Sequence, residues 1–354
     1  MARRNGYDTL RTVIRARAPL RLGLAGGGTD LSPYCENHGG AVLNCTIDKY
    51  AYAFASSRDD GKVVFRAGDL GIEETFPLSA VIDSKLALHA GVYRHFVKEF
   101  HQGVPFAVTI TTNVDAPAGS GLGSSSALVV ALVDVLRAYL NLPLGPYDVA
   151  HLAFAIERID LGFAGGKQDQ YAAAFGGVNF IEFLAEDRVI VNPLRIPNTI
   201  LNEIETSIVI CFSGQSRESA TIIDNQTEGM RSGTPRTIDA LHRLKADAIE
   251  MKRALLQGKV DEMATILNRS WTSKKETASA VTNPHLDKLY EIGRAAGALG
   301  GKVSGAGGGG YMMFIVPPEE RYRIVTALSQ AGALASPVKL TGLGCETWHA
   351  KRDG

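Results

Sequence analysis

Between Pro117 and Ala127 the chain reads Pro-Ala-Gly-Ser-Gly-Leu-Gly-Ser-Ser-Ser-Ala, with glycines at 119, 121 and 123 and hydroxyls at 124, 125 and 126. Ahead of this run Phe106, Val108, Ile110, Thr112 and Val114 alternate with Ala107, Thr109, Thr111 and Asn113, the pattern of a strand buried on one face. Behind it, Ser124 to Leu140 is almost wholly apolar and long enough for a buried helix. Strand, glycine loop and helix start, in that order, aim several backbone N–H groups and the positive end of a helix dipole at one point. Such a point binds an anion, and phosphate is the natural one. A plain strand-to-helix turn with a serine cap needs one glycine, not three alternating ones followed by three serines. No lysine follows Gly123, so the loop is not of the Walker type. Its glycine spacing, and the helix stop after Leu140, also depart from the dinucleotide-binding fingerprint.

Two further glycine clusters flank predicted strands. Ala25 to Asp30 reads Ala-Gly-Gly-Gly-Thr-Asp after a strand at Val13–Leu24, and Ser304 to Gly310 reads Ser-Gly-Ala-Gly-Gly-Gly-Gly before a strand at Tyr311–Val316. Each alone is a flexible turn. Three together, each beside a strand, point to one site with three walls, since glycine lets a ligand approach the backbone closely.

Together the three stretches resemble the motifs of the GHMP kinases, a family that includes galactokinase, homoserine kinase, mevalonate kinase and phosphomevalonate kinase. Pro117-x-x-x-Gly121-Leu122-Gly123-Ser124-Ser125-Ser126-Ala127 matches their signature, Ala18 to Asp30 their first motif and Lys302 to Gly310 their third, all in the family's order. The first motif departs from galactokinase: where that enzyme has Gly-Glu-His-Thr-Asp, this chain has Gly26-Gly27-Gly28-Thr29-Asp30. Loss of an acidic and an imidazole side chain opens room and removes negative charge, which suits a larger or anionic substrate. With Gly166-Lys167-Gln168-Asp169-Gln170-Tyr171, this form resembles the bacterial D-glycero-D-manno-heptose 7-phosphate kinases. Those act on the C1 hydroxyl on the way to nucleotide-activated heptose for lipopolysaccharide or capsule. Fucokinase-like domains, which act on an unphosphorylated sugar, share parts of the pattern.

The resemblance implies a magnesium- and ATP-dependent kinase with roles for particular residues. Pro117, Gly119, Ser120, Gly121, Leu122, Gly123, Ser124, Ser125 and Ser126 would cradle the ATP phosphates. Ser125 and Glu157 would hold Mg²⁺, a hard cation that prefers oxygen ligands. Asp169 would orient the acceptor hydroxyl or take its proton, with Arg21 beside it to steady the migrating phosphoryl group. Position alone makes Asp169 equally a helix N-cap, and Glu157 a surface glutamate pairing with Arg158. The acceptor would meet Gly26, Gly27, Gly28, Thr29, Asp30, Lys167, Gly307 and Gly308. A phosphorylated sugar needs a second anion site, for which Ser216 and Arg217 are the first candidates and Lys274 and Lys275 the next.

Thirty-seven basic residues cancel thirty-seven acidic ones, against a nucleic-acid partner. Cysteines 35, 45, 211 and 345 have neither disulfide nor zinc spacing and suit a reducing compartment. Residues 1–17 lack the apolar core of a secretory signal, and no apolar run reaches the roughly 20 residues of a membrane span. A cytoplasmic enzyme with small-molecule partners is expected, its oligomeric state left open. Strands and helices do not alternate regularly throughout, which predicts an α+β chain. The resemblance predicts a two-domain GHMP fold, ribosomal-S5-like over 12–204 and ferredoxin-like over 205–354, with the site in the cleft between. The polar segment Glu218–Arg236 reads as a mobile loop or lid.

Overall fold

The computed structural model describes residues 13–215 and 219–350. Its larger sheet is built on two long antiparallel strands, β1 (Val13–Ala25) and β2 (Gly40–Ser57), joined through the short helix α1 (Tyr34–His38). The sequence predicts a strand only from Tyr50; β2 starts at Gly40 because Ala41, Val42 and Leu43 also pack into the core. The hairpin β3 (Lys62–Ala67) and β4 (Ile72–Pro77) is followed by α2 (Ala87–Phe100) and by β5 (Val108–Val114). β5 lies between β2 and β3, parallel to β3, and runs out into the loop at 115–123.

Helix α3 (Ser124–Tyr139) follows, buried on nearly every side from Val129 to Leu136. An all-apolar helix is stable only when enclosed; α3 packs on β1 and β2 and is flanked by α2 and by two later helices, α4 (Pro146–Phe154) and α5 (Gln168–Phe175). The sequence predicts one helix over 147–160. In the structure α4 stops at Phe154 and a π-helical turn takes Ala155–Asp160. Strands β6 (Val178–Phe183) and β7 (Val189–Pro193) complete that side of the sheet, β6 pairing with the first half of β2.

Helix α6 (Asn198–Thr206) leads to the smaller sheet. Its strands are β8 (Ile208–Phe212), β9 (Gly300–Val303), β10 (Tyr311–Ile315) and β11 (Leu334–Pro337), in the order β11-β8-β10-β9. Between β8 and β9 come α7 (Ser219–Arg231), α8 (Pro235–Leu256), α9 (Val260–Lys275) and α10 (Pro284–Ala295), and α11 (Arg321–Gln330) precedes β11. The second apolar core lies here, around Trp271, Leu286, Met312 and Phe314.

An α+β chain is what the structure has. Three further sequence readings change. The segment expected as a mobile loop is largely helix α7, because Ile222, Gln226 and Met230 recur every fourth residue and are buried. The strand expected over 302–316 is two strands, β9 and β10, separated by the glycine run, and that expected over 336–348 is likewise two. The second of these, β12 (Glu346–Ala350), returns to the larger sheet and pairs with Val13–Arg17 of β1. A single cut at 204/205 therefore does not separate the two sheets.

Candidate active site

The three glycine loops meet. The loop after β5 lies across the free edge of β1 where β12 has ended: the Arg21 amide donates to the Leu122 carbonyl at 3.0 Å. The loop between β9 and β10 closes on it from the other side. Ser304 Oγ donates to the Gly121 carbonyl at 2.9 Å, and the Tyr311 amide donates to the Ser120 carbonyl at 2.8 Å. The approach is too tight for side chains. A Cβ on Gly121 would stand 2.5 Å from the Ser304 carbonyl oxygen, and one on Gly310 would stand 2.4 Å from that of Ser120. A cavity of about 690 Å³ opens at this junction.

At the junction Arg21 and Asp169 form an ion pair, Nε to Oδ1 at 2.7 Å, with only 5% of the arginine side chain exposed and 20% of the aspartate. Arg21 Nη1 also donates to the Gly121 carbonyl at 2.7 Å, so one guanidinium fixes both the loop and the carboxylate. Asp169 is the second residue of α5 and makes no cap bond to the helix backbone. Its carboxylate turns to Arg21 instead.

Ser124, Ser125 and Ser126 begin α3 and line the cavity, where a helix leaves its first N–H groups without intrahelical acceptors. Ser125 Oγ donates to Glu157 Oε1 at 2.8 Å. Glu157 is fully buried on the π-helical turn, far from the surface glutamate of the alternative reading. Gln170 Nε2 donates to its other oxygen at 2.7 Å, and Arg158 Nη2 donates to Ser126 Oγ at 3.0 Å. A π-turn inserts one extra residue and is a common device at functional sites.

On the opposite wall Asp30 accepts from the Gly28 amide, the Gln168 amide and Gln168 Nε2, at 3.1, 3.1 and 3.0 Å. Burial, with Asp169 nearby, pushes its carboxyl above the usual carboxylate range. Helix α7 closes this wall with Ala220, Ile223, Asp224 and Gln226.

The chain's relatives match this arrangement. The family description "GHMP kinases N terminal domain" covers residues 87–177 and "GHMP kinases C terminal" covers 251–334. A D-glycero-alpha-D-manno-heptose 7-phosphate kinase of Campylobacter jejuni is 42% identical over 95% of this chain and 99% of its own length. The chain belongs to the GHMP kinases. It is accordingly a phosphotransferase. Among solved structures, a D-glycero-D-manno-heptose 1-phosphate kinase from Bacteroides thetaiotaomicron superposes with a TM-score of 0.81 at 39% identity, over 95% of this chain and 98% of that one. A Lactococcus lactis galactokinase complexed with galactose shares the fold, with a TM-score of 0.76 at 21% identity, over 94% of this chain and 95% of that one.

In this GHMP kinase not every expected residue faces the cavity. Gly119, Gly121, Gly123 and the three serines do, whereas Ser120 and Leu122 are buried behind the loop and Pro117 is exposed outside the lining. Thr29 is buried and holds its own loop, donating to the Gly26 carbonyl and accepting from the Ala41 amide. Of the first motif, Gly28 and Asp30 line the cavity, and Gly26 and Gly27 do not. Gly307 and Gly308 are tucked against Val281, leaving Gly305 and Ala306 as the lining pair. Lys167 does not line the cavity: Asp187 and the Phe154 ring take its ammonium. Ser216 and Arg217 lie outside the described residues. Sequence reasoning gave no role to Gln168 and Gln170; Arg158 it read only as a partner of Glu157, and the two do pair, Nη1 to Oε1 at 3.4 Å, although Glu157 is buried.

It also underrated two buried lysines. Burial pushes Lys274 down to about 8, with Arg21 lowering it further against the pull of Asp30 and Asp169. Burial pushes Lys302, on β9, down to about 7, helped by Lys274 and Arg21 and opposed by Asp247. Between pH 7 and the ordinary 10.5 the unfolded chain holds the Lys302 proton that the folded chain has shed. The lysine's destabilising effect is thus full below pH 7 and lifts as pH rises. Lys302→Met should raise the Tm of the ligand-free protein at neutral pH, with the gain shrinking at alkaline pH. A Tm loss in thermal scans at both ends would refute it.

Proposed function

We propose that this kinase transfers the γ-phosphoryl group of ATP to the anomeric C1 hydroxyl of D-glycero-D-manno-heptose 7-phosphate, giving the 1,7-bisphosphate used for nucleotide-activated heptose. The names of the two relatives above differ in the phosphate position, yet both specify a phosphorylated heptose. The observation that carries the reading is the Arg21–Asp169 pair, set where the phosphate loop, the acceptor loop and the third glycine loop converge on one cavity.

Asp169 Oδ1 is held by Arg21, which leaves Oδ2 to orient the acceptor hydroxyl and receive its proton. The Arg21 charge offsets the charge that builds on the phosphoryl group in flight. The N–H groups opening α3 receive the nucleotide phosphates. Ser125 and Glu157 fit Mg²⁺: both present oxygens, they are within bonding distance of each other, and a cation that keeps its waters needs few protein ligands. When bound, that ion would neutralise charge on the nucleotide phosphates. Gly28, where galactokinase has a histidine, leaves the acceptor wall open, supporting a larger, charged sugar. No helix among the described residues is long and apolar enough to cross a membrane, and we place the reaction in the cytoplasm with its ATP supply.

An ADP-release assay over a panel of sugars tests the assignment. Heptose 7-phosphate should be turned over with a kcat/KM at least about tenfold above heptose, galactose or fucose. A fucokinase/GDP-fucose pyrophosphorylase from Arabidopsis thaliana is 26% identical over 87% of this chain, which spans 30% of that protein. Preference for fucose would transfer the assignment to that branch.

A further inference from the structure

Lys274 and Lys302 are both more than nine-tenths buried, and among the described residues neither forms an ion pair. An ammonium taken out of water without a carboxylate partner costs stability. Lys302 stands behind the site, whereas Lys274, in the last turn of α9, lines the cavity. Its single hydrogen bond is a long one, Nζ to the Gly27 carbonyl at 3.4 Å.

The placement says which ligand group it faces. Lys274 Nζ and Gln168 Nε2 both sit over Gly27, 3.9 and 3.7 Å from where a Cβ there would stand, and Gln168 Nε2 donates to Asp30. Lys274 therefore belongs to the acceptor wall, with Gly28 and Asp30. Asp169 touches both sides: a Cβ on Gly123, next to Ser124, would stand 3.1 Å from its carboxyl carbon, and its neighbour Gln168 bonds Asp30. Lys275, the neighbour of Lys274 in sequence, is exposed and lies over the Trp271 ring.

We propose that Lys274 binds the phosphate that the acceptor already carries, and so makes the enzyme prefer phosphorylated sugars to free ones. The proposal rests on the phosphosugar reading above. An unpaired buried ammonium is a receptor awaiting an anion, and a sugar phosphate whose C1 hydroxyl meets Asp169 brings one to the acceptor wall.

Lys274→Met keeps most of the side chain's length and removes its charge. The KM for heptose 7-phosphate should rise about 10- to 100-fold, the range expected for one charge-assisted bond to phosphate. The kcat should fall much less, and the preference for heptose 7-phosphate over heptose should drop at least tenfold. Calorimetric titration of the intact protein with heptose 7-phosphate, without ATP, should show the same weakening. Since the charge is unpaired, the Tm of the variant should not fall; if Lys274→Met does not fold, Lys274→Gln replaces it. Equal losses on both sugars would mean that Lys274 serves the transferring phosphoryl group instead, and an unchanged KM would remove it from the site. If the wild-type enzyme prefers unphosphorylated sugars, the phosphosugar reading itself fails, whatever the variant does.

Discussion

Asp169→Asn should bind ATP as the wild-type enzyme does and turn over substrate slower by about 10² or more. The asparagine amide oxygen can still accept from Arg21 Nε, whose bond to Oδ1 is 2.7 Å, so the guanidinium need not move and its contact with the Gly121 carbonyl persists. What is lost is the negative charge and the proton-accepting oxygen beside the acceptor hydroxyl. A group acting only in the transition state lowers kcat and kcat/KM together. Nucleotide affinity measured by titration should stay within a few-fold, because Ser125, Glu157 and the start of α3 are untouched. Turnover within a few-fold of wild type would show that Asp169 does not act on the hydroxyl.

The second large effect concerns the seam between loops. Gly310 has φ +80°, its amide donates to the Gln215 carbonyl at 2.7 Å, and a Cβ on it would stand 2.4 Å from the Ser120 carbonyl oxygen. Gly310→Ala combines a disfavoured backbone conformation with a clash against backbone, which cannot rotate aside as a side chain would. A loss of roughly 2–4 kcal/mol is expected, with a Tm lower by several degrees. Activity should fall further than stability alone explains, since the Tyr311–Ser120 hydrogen bond that joins the third loop to the phosphate loop is the first to be strained. Gly332→Ala is the control: its φ is +88° but nothing lies within 4 Å of the added methyl. That variant should lose only about 1 kcal/mol and keep its activity. If the two variants behave alike, backbone strain alone accounts for the effect and the seam carries no weight.

The glycine–serine loop was legible as one wall of a cavity because it is written in eleven consecutive residues, flanked by a strand period and an apolar helix that fix its direction. Asp169 and Glu157 were legible through the resemblance. The structure adds what position could not decide: Asp169 bonds Arg21 in place of a helix cap, and Glu157 is swung inward by a π-turn that a regular helical period conceals. The β2 strand was read short because its first half contains Asn44 and Thr46, polar residues buried among strands that no local pattern announces. Lys274 was read together with Lys275 as the second candidate for the anion site, without a way to tell the buried lysine from the exposed one. A signal was present, since Met263, Leu267, Ser270 and Lys274 recur at spacings of four and three along the buried side of α9. Charge at such a position is unfavourable for folding alone, and that conflict between local pattern and residue type is what marks it for function.

Among the described residues, the last strand is bonded to the first. By pairing with Val13–Arg17, β12 sends the polypeptide across the cleft a second time, after the crossing that follows α6. Two tethers at separate points oppose a clamshell motion about one flexible joint and favour sliding of the packed layers past each other. Neither half is a self-sufficient module: a gene ending near residue 204 would leave the edge of β1 uncovered, and its complement would carry an orphan strand.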